Sequence, residues 1–371
     1  MFVMNKQIVK IFLIWLGLLL AVGFFAMHLS LYKGGKCDVK NQLPYYRWDS
    51  FWYTSISRHG YSFSDSKNSS IAFFPLYPAV IKVAHFSTDI REDHLSFGLN
   101  IVFSFLAALY LYQLANLDYD EKKSLAVVMV FLFFQPAYFF LAGYPDALFA
   151  MLAIVSLYFG RKKAWGRAGI AAGLLTITKP YGILMLPALG LEYLWSHDWN
   201  VKILLKKIDW LPLLLPLFSF GGFVLFNYLK FHNPVAFLDA QQTWGRTLAN
   251  PAVALLEEGR YYLFGGKILT GSNFPYVIYL GSFVFSLWAF WLAWSRVRKT
   301  YLLFSGLLLL SALLTGTLTS WGRYMLLGFP VLMGPAVYLA EKKKIFWLYL
   351  FISTALLLIC ANFFVRCFPF E

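Results

Sequence analysis

Apolar residues in this chain come in runs of about 20 that recur along its whole length. The runs occupy residues 10–32, 96–116, 125–143, 146–160, 165–178, 181–195, 211–229, 276–295, 301–318, 324–340 and 345–364. A helix needs about 20 apolar residues to cross the hydrocarbon core of a bilayer. In lipid every backbone N–H and C=O must bond internally, so only helices and closed barrels span. These runs are too long and too continuous for barrel strands. They predict an all-α polytopic membrane protein, a bundle of about eleven transmembrane helices in one domain over residues 1–371. Several middle runs are short, which predicts tilted or broken helices there.

One further apolar piece, IAFFPLYPAVIKVAHF at 71–86, is short for a span and contains Pro75, Pro78, Lys82 and His85. Charge resolves its placement. If it lies at the interface or re-enters, the cytoplasmic pieces are the N-terminus, 118–123, 160–167, 196–210, 296–299 and 341–344. Each then holds at least two Lys or Arg, as the positive-inside bias expects. If it crossed, RKK, RVRK and EKKK would all move outside. The reading is therefore a cytoplasmic N-terminus, an external C-terminus, and two long external loops at 33–95 and 230–275. The N-terminal run is longer than a signal-peptide core, and no small-residue cleavage site follows it, so it reads as an uncleaved first helix held inside by Lys6 and Lys10.

Composition agrees. The chain of 371 residues is 60% hydrophobic and 13% charged, against roughly 25% charged in soluble domains. The net charge of +14 fits basic cytoplasmic loops, and no nucleic-acid-binding motif accompanies it. The cysteines, Cys37, Cys360 and Cys367, match no zinc or redox spacing. Cys360 lies in an apolar run and reads as a small hydrophobe. Cys37 and Cys367 both fall outside, where a disulfide between them is an option.

Candidate chemistry gathers on the expected outer face. Asp49, Asp146, Lys179, Arg246 and Arg323 come from five separate external segments, and all but Arg246 sit within a few residues of a helix end. An ionisable group at membrane depth is costly and usually faces a cavity or a partner. For each alone, an interfacial side chain reaching to water is the plainer explanation. Together they suit glycosyl transfer from a lipid-phosphate sugar. The acceptor hydroxyl needs a general base, which a carboxylate supplies. The leaving phosphate needs Arg or Lys. The lipid tail needs an apolar groove. The aromatics of YYRWDSFWYTSISRHGY (45–61) can stack on sugars or anchor the loop among headgroups.

At these residues the chain resembles a known family. RWDSFWYTSISRHGY followed by AFFPLYP is similar to the first external loop of PIG-V-type integral-membrane glycosyltransferases of the GT-C superfamily. That loop has a W-D pair, an I-A-x-x-G-Y-like piece and F-F-P-L-Y-P. Here these are Trp48-Asp49, Ile56 to Tyr61 with Ser57 in place of the common Ala, and Phe73 to Pro78. PAYFFLAGYPDALFA (136–150) resembles the segment ending in Y-[ST]-E-x-x-F, with Pro145 and Asp146 for the hydroxyl residue and Glu. TKPYGIL (178–184) resembles [TS]-R-x-x-G-x-L, with Lys179 for Arg. FLDAQQTWGR (237–246) and SWGRYMLLGFP (320–330) resemble Q-x-x-W-x-R and R-Y-x-L-x-x-F-P.

The resemblance implies a GT-C-like bundle with Asp49 as the catalytic base. It implies that Asp146 helps bind acceptor or a metal, although Asp reaches one methylene less far than Glu. It implies that Arg323, Lys179 and Arg246 face the lipid phosphate and that Gln241 or Gln242 bonds sugar hydroxyls. Arg47, Trp48, Arg58, His59 and Tyr324 complete the candidate substrate-binding set, with His59 also a structural donor. FFPLYP is expected to form the floor beneath Asp49. The expected donor is a polyprenyl-phosphate sugar, mannose by default, and the acceptor a glycan, glycolipid or protein; membrane lipid is a partner and nucleic acid is not. No cofactor is expected, and no metal ligand is assigned; a divalent cation stays open because two carboxylates come from different loops. The expected setting is a prokaryotic plasma membrane with the active face outside. A transporter or flippase of lipid-linked sugars would instead place charges at the bilayer midplane of repeated halves. An O-antigen polymerase or ligase is also a multi-pass glycosyltransferase with external Arg, and a scaffold would make the Asp49 segment dispensable.

Overall fold

The computed structural model describes residues 5–28, 43–64, 68–243, 248–253, 255–256 and 274–368. Among the described residues the chain is helical throughout, with no strand. Five helices are long and apolar enough to cross a membrane: Lys6–His28, Glu92–Ala115, Leu211–Phe231, Val277–Arg296 and Lys343–Val365. A sixth crossing arises if Trp321–Leu327 and Pro330–Ala340, which meet at 84°, form one span. The count of eleven is not reached by this measure, because five of the expected runs form α-helices of only 11 to 16 residues. The run 125–143, for example, divides into the helix Glu121–Phe133 and a 3-10 turn Gln135–Phe140 with Pro136 near its start. The run 181–195 likewise opens with the 3-10 turn Pro180–Leu184. Proline lacks the N–H that would continue an α-helix across the break.

The piece at 71–86 folds as a 3-10 turn, Ser70–Ala72, and a 13-residue helix, Leu76–Thr88. Pro75 caps that helix and Pro78 lies in its first turn, where a missing N–H does no harm. Thirteen residues rise about 20 Å, short of a bilayer core of about 30 Å.

The chain divides into two compact units. The first holds Met1–Trp48, Ala115–Ala142 and Leu248–Glu371. Its helices meet at small residues: a Cβ on Gly334 would lie 2.5 Å from the backbone nitrogen of Ala293, a backbone-to-backbone approach of the kind that packs helices where lipid removes the hydrophobic drive. Side-chain hydroxyls bond across it, from Tyr45 Oη to the Leu19 carbonyl at 2.7 Å and from Ser353 Oγ to that of Phe133 at 2.8 Å.

The second unit holds Asp49–Leu114 and Gly143–Thr247. Its centre is the pair Asp146–Arg161 and Trp165–Thr176, rich in Ala and Gly and closed by a bond from Ser156 Oγ to the Ala168 carbonyl. Gly169 has no room for a side chain, since a Cβ there would lie 2.1 Å from the Pro212 carbonyl oxygen.

Candidate active site

Asp49 is the N-cap of the helix Ser50–His59 and is half-buried. Its side chain makes no capping hydrogen bond to that helix, so the carboxylate is not consumed by the commonest structural use of Asp at this place. Its own backbone is held instead. The Asp49 N–H donates to the phenol oxygen of Tyr144 at 3.3 Å. The Tyr144 carbonyl in turn accepts from Nδ2 of the buried Asn100 at 2.9 Å. Next to it, Gly143 lies against Ser50: a Cβ at Gly143 would fall 2.8 Å from Ser50 Cβ and Oγ and 3.2 Å from Ser96 Oγ. Glycine is required there by close approach, since its backbone dihedrals are not in the left-handed region.

Two residues beyond Tyr144 the chain enters the helix Asp146–Arg161, and Asp146 is its first residue. The Asp146 carboxylate is fully buried and pairs with Lys179 Nζ at 3.2 Å; the Lys179 side chain is 12% exposed. The helix N-terminus supports the carboxylate further, because its orphan N–H groups and dipole favour negative charge. Lys179 caps the 3-10 turn Pro180–Leu184. Shortly before it, the Ile177 carbonyl accepts from the N–H of Leu76 at 2.9 Å, which joins the FFPLYP piece to the TKPY turn.

FFPLYP lies against the helix that carries Asp49. Phe73 stacks on Trp52 with centroids 5.7 Å apart at 12°, and meets Tyr53 edge-on at 5.1 Å. Tyr53 also meets Tyr77 at 5.4 Å, and Tyr61 Oη donates to the Phe73 carbonyl at 2.9 Å. Gln241, on the helix Ala236–Thr243, donates to the Ala72 carbonyl at 3.1 Å. Five segments far apart in sequence are thus tied together inside one unit: 49–61, 70–78, 143–146, 177–181 and 236–243.

Residues 39–167 match a family model described as Mannosyltransferase (PIG-V). The resemblance seen in the motifs is found again by this comparison, over the W-D pair, FFPLYP and the 136–150 segment. No curated protein matches the chain. Two solved structures of the Archaeoglobus fulgidus oligosaccharyltransferase align with nearly all of it. One, a complex with Zn and sulfate, is 12% identical over 95% of this chain and 52% of its own, with a TM-score of 0.44. The other, AglB with an inhibitory peptide and a dolichol-phosphate, is 11% identical over 98% and 55%, also at 0.44. The chain therefore spans about half the length of these proteins.

The remaining predicted residues fall in three groups. Arg58 and His59 are exposed at the end of the helix Ser50–His59, and Arg58 pairs with the buried Glu92. Gln242 is exposed beside Gln241, and Arg246 lies outside the described residues. Arg47, Trp48, Arg323 and Tyr324 belong to the first unit. There Arg47 is 2% exposed and its Nε and Nη1 donate to the carbonyls of Val365, Leu43 and Tyr46 at 2.8 to 2.9 Å. Burial lowers its pKa to about 10, so it remains cationic at neutral pH. Trp48 takes a left-handed backbone, φ 47°, which a bulky residue adopts only under restraint. Arg323 stands over the Phe139 ring at 4.7 Å, and Tyr324 is buried. Among the described residues no group of three His, Cys, Asp or Glu is placed to hold a metal ion.

Sequence reasoning missed Tyr144, Asn100 and Gly143 as parts of the site. Tyr144 and Gly143 lie inside the 136–150 motif, and Asn100 is a lone amide near the start of an apolar run, a signal that a search by charge overlooks.

Proposed function

We propose that the chain is an inverting glycosyltransferase that uses a polyprenyl-phosphate sugar, with mannose the default sugar, on the outer face of a prokaryotic plasma membrane. Asp49 is the base. Its carboxylate takes the proton of an acceptor hydroxyl as that oxygen attacks the anomeric carbon. The bond from that carbon to the phosphate oxygen breaks, and polyprenyl phosphate leaves with the electron pair. A single displacement of this kind inverts the anomeric centre. Lys179 and Arg323 are the cations for the phosphate. The acceptor is a glycan, glycolipid or protein hydroxyl.

The observation that carries this reading is the tying of Asp49 to the 143–146 turn through the Asp49–Tyr144 bond, within the stretch that matches the mannosyltransferase family model. A base must be fixed within hydrogen-bond reach of its proton, and the backbone of Asp49 is held for that purpose. The outer-face placement is supported by Cys367, which is disulfide-bonded, as cysteines of oxidising compartments are. Cys37, the optional partner in the sequence, lies outside the described residues. Cys367 follows the helix Lys343–Val365 by two residues, and Arg47, two residues before Asp49, bonds the Val365 carbonyl at that same end.

The test is glycosyl transfer by the purified chain in nanodiscs. Labelled polyprenyl-phosphate mannose is supplied with a pool of membrane and cell-wall acceptors. Asp49→Asn keeps the shape of the side chain but cannot accept the proton; transfer is expected to be lost while the helical content is unchanged. Equal transfer by wild type and variant refutes Asp49 as the base.

A further inference from the structure

The segment 199–211, WNVKILLKKIDWL, plays no part in the site. It follows the helix Met185–Trp195 and ends where the candidate span Leu211–Phe231 begins. That junction fixes its level. A segment that runs directly into a span lies at the membrane surface. Here it forms a short turn, Ile203–Lys206, closed by a bond from Trp210 Nε1 to the Leu204 carbonyl at 3.0 Å. Its apolar side chains are turned outward: Leu205 is 91% exposed and Ile208 78%, with Trp199, Val201 and Leu204 exposed as well. Lys202, Lys206 and Lys207 are exposed among them.

The charge around this turn is lopsided. Lys162 and Lys163 are exposed on the neighbouring loop, and Lys163 Nζ reaches the Ser196 carbonyl at 3.4 Å, which joins the two loops. The exposed acids nearby are Asp198 and Asp209, and Asp209 accepts from Tyr193 Oη at 2.7 Å; Glu192 is buried and pairs with Arg161. Exposed Leu, Ile and Trp beside lysines on a surface element match the interfacial pattern in which apolar groups enter the acyl boundary and ammonium groups meet headgroup phosphates. An acidic protein partner would use the lysines and leave Leu205 and Ile208 in water.

We infer that residues 199–211, with Lys162 and Lys163, form a docking surface for anionic phospholipid headgroups in the leaflet that the span enters at Leu211. Leu205 and Ile208 insert into the headgroup–acyl boundary. Lys202, Lys206 and Lys207 hold phosphate oxygens. This contact is independent of the proposed transferase chemistry.

The experiment uses the full chain in nanodiscs of phosphatidylcholine, or of phosphatidylcholine with one lipid in three replaced by phosphatidylglycerol. A spin label is attached at Leu205→Cys, with the unsubstituted chain as the labelling blank. In the anionic discs the label is expected to lose accessibility to a water-soluble nickel chelate and to gain accessibility to oxygen. High salt should weaken that difference. Each lysine biases the bound state by about fivefold, so the added substitutions K202Q, K206Q and K207Q should together abolish the dependence on phosphatidylglycerol while helical content stays the same. A label equally water-exposed in both lipids overturns the inference. So does a lipid dependence that survives the triple substitution.

Discussion

The buried pair Asp146–Lys179 offers the sharpest test of how the site is built. At 3.2 Å the gross attraction of two unit charges is about 5 kcal/mol at an effective dielectric constant of about 20. Against it stands the cost of desolvating a carboxylate that is fully buried, several kcal/mol per ion. The pair is therefore close to break-even as a unit, and its removal one partner at a time is not. Lys179→Met removes the cation paired with the buried Asp146 carboxylate; the helix N-terminus contributes about 1 kcal/mol to its support. The expected loss is about 3–5 kcal/mol. Asp146→Asn leaves a lysine that retains some exposure and can reach water, so its cost should be smaller. The double variant Asp146→Asn, Lys179→Met should cost less than the sum of the two.

The assay is a double-mutant cycle of unfolding free energies in mixed micelles, followed by far-ultraviolet circular dichroism. A coupling of about 2 kcal/mol or more, roughly half of that expected single-variant loss, is the predicted result. A cost below about 1 kcal/mol for Lys179→Met, with additive singles, would show that the pair is solvated and loosely held. It would also return Asp146 to the role of a direct substrate contact. The same variants read function: if Asp146 restrains Lys179 for phosphate, Asp146→Asn should raise the KM for the lipid donor more than it lowers kcat.

Three further outcomes follow from the geometry. Gly143→Ala drives a methyl to 2.8 Å from Ser50 and should cost about 1–3 kcal/mol by overpacking, with part of the loss recovered by Ser50→Gly; a neutral Gly143→Ala in thermal unfolding would refute the close approach. Tyr144→Phe removes the acceptor of the Asp49 N–H and should cost about 0.5–1.5 kcal/mol, while kcat falls and the donor KM holds; unchanged kcat would exclude Tyr144 as a positioning residue. Arg323→Ala should raise the donor KM at least several-fold and lose a cation–π contact worth about 1 kcal/mol; unchanged donor dependence would remove Arg323 from the phosphate site.

Much of the fold was legible because lipid simplifies the code. Long apolar runs state the class outright. The helix count was harder to read. Pro136 breaks a run that is apolar almost throughout, so hydropathy sees one span where the backbone makes two pieces. The reverse holds for 71–86, where two prolines pointed away from a span and the helix Leu76–Thr88 tolerates both at its start. Position within the turn, which a residue count does not give, decides whether proline breaks a helix or begins one.

The candidate residues were chosen by charge, and their contacts were not legible in the sequence. Asp49, Asp146 and Lys179 stood out because ionisable groups are rare in this chain. What the sequence does not display is that two of them pair with each other, or that the Asp49 N–H bonds Tyr144, whose carbonyl accepts from Asn100. The distinction has a chemical consequence. A catalytic carboxylate beside an unpaired cation would be a weaker base, because the cation stabilises its ionised form. Lys179 is paired with Asp146, and the Asp49 backbone is fixed through a hydrogen bond from its N–H to Tyr144. In the proposed reaction Lys179 stays paired with Asp146 until a phosphate arrives.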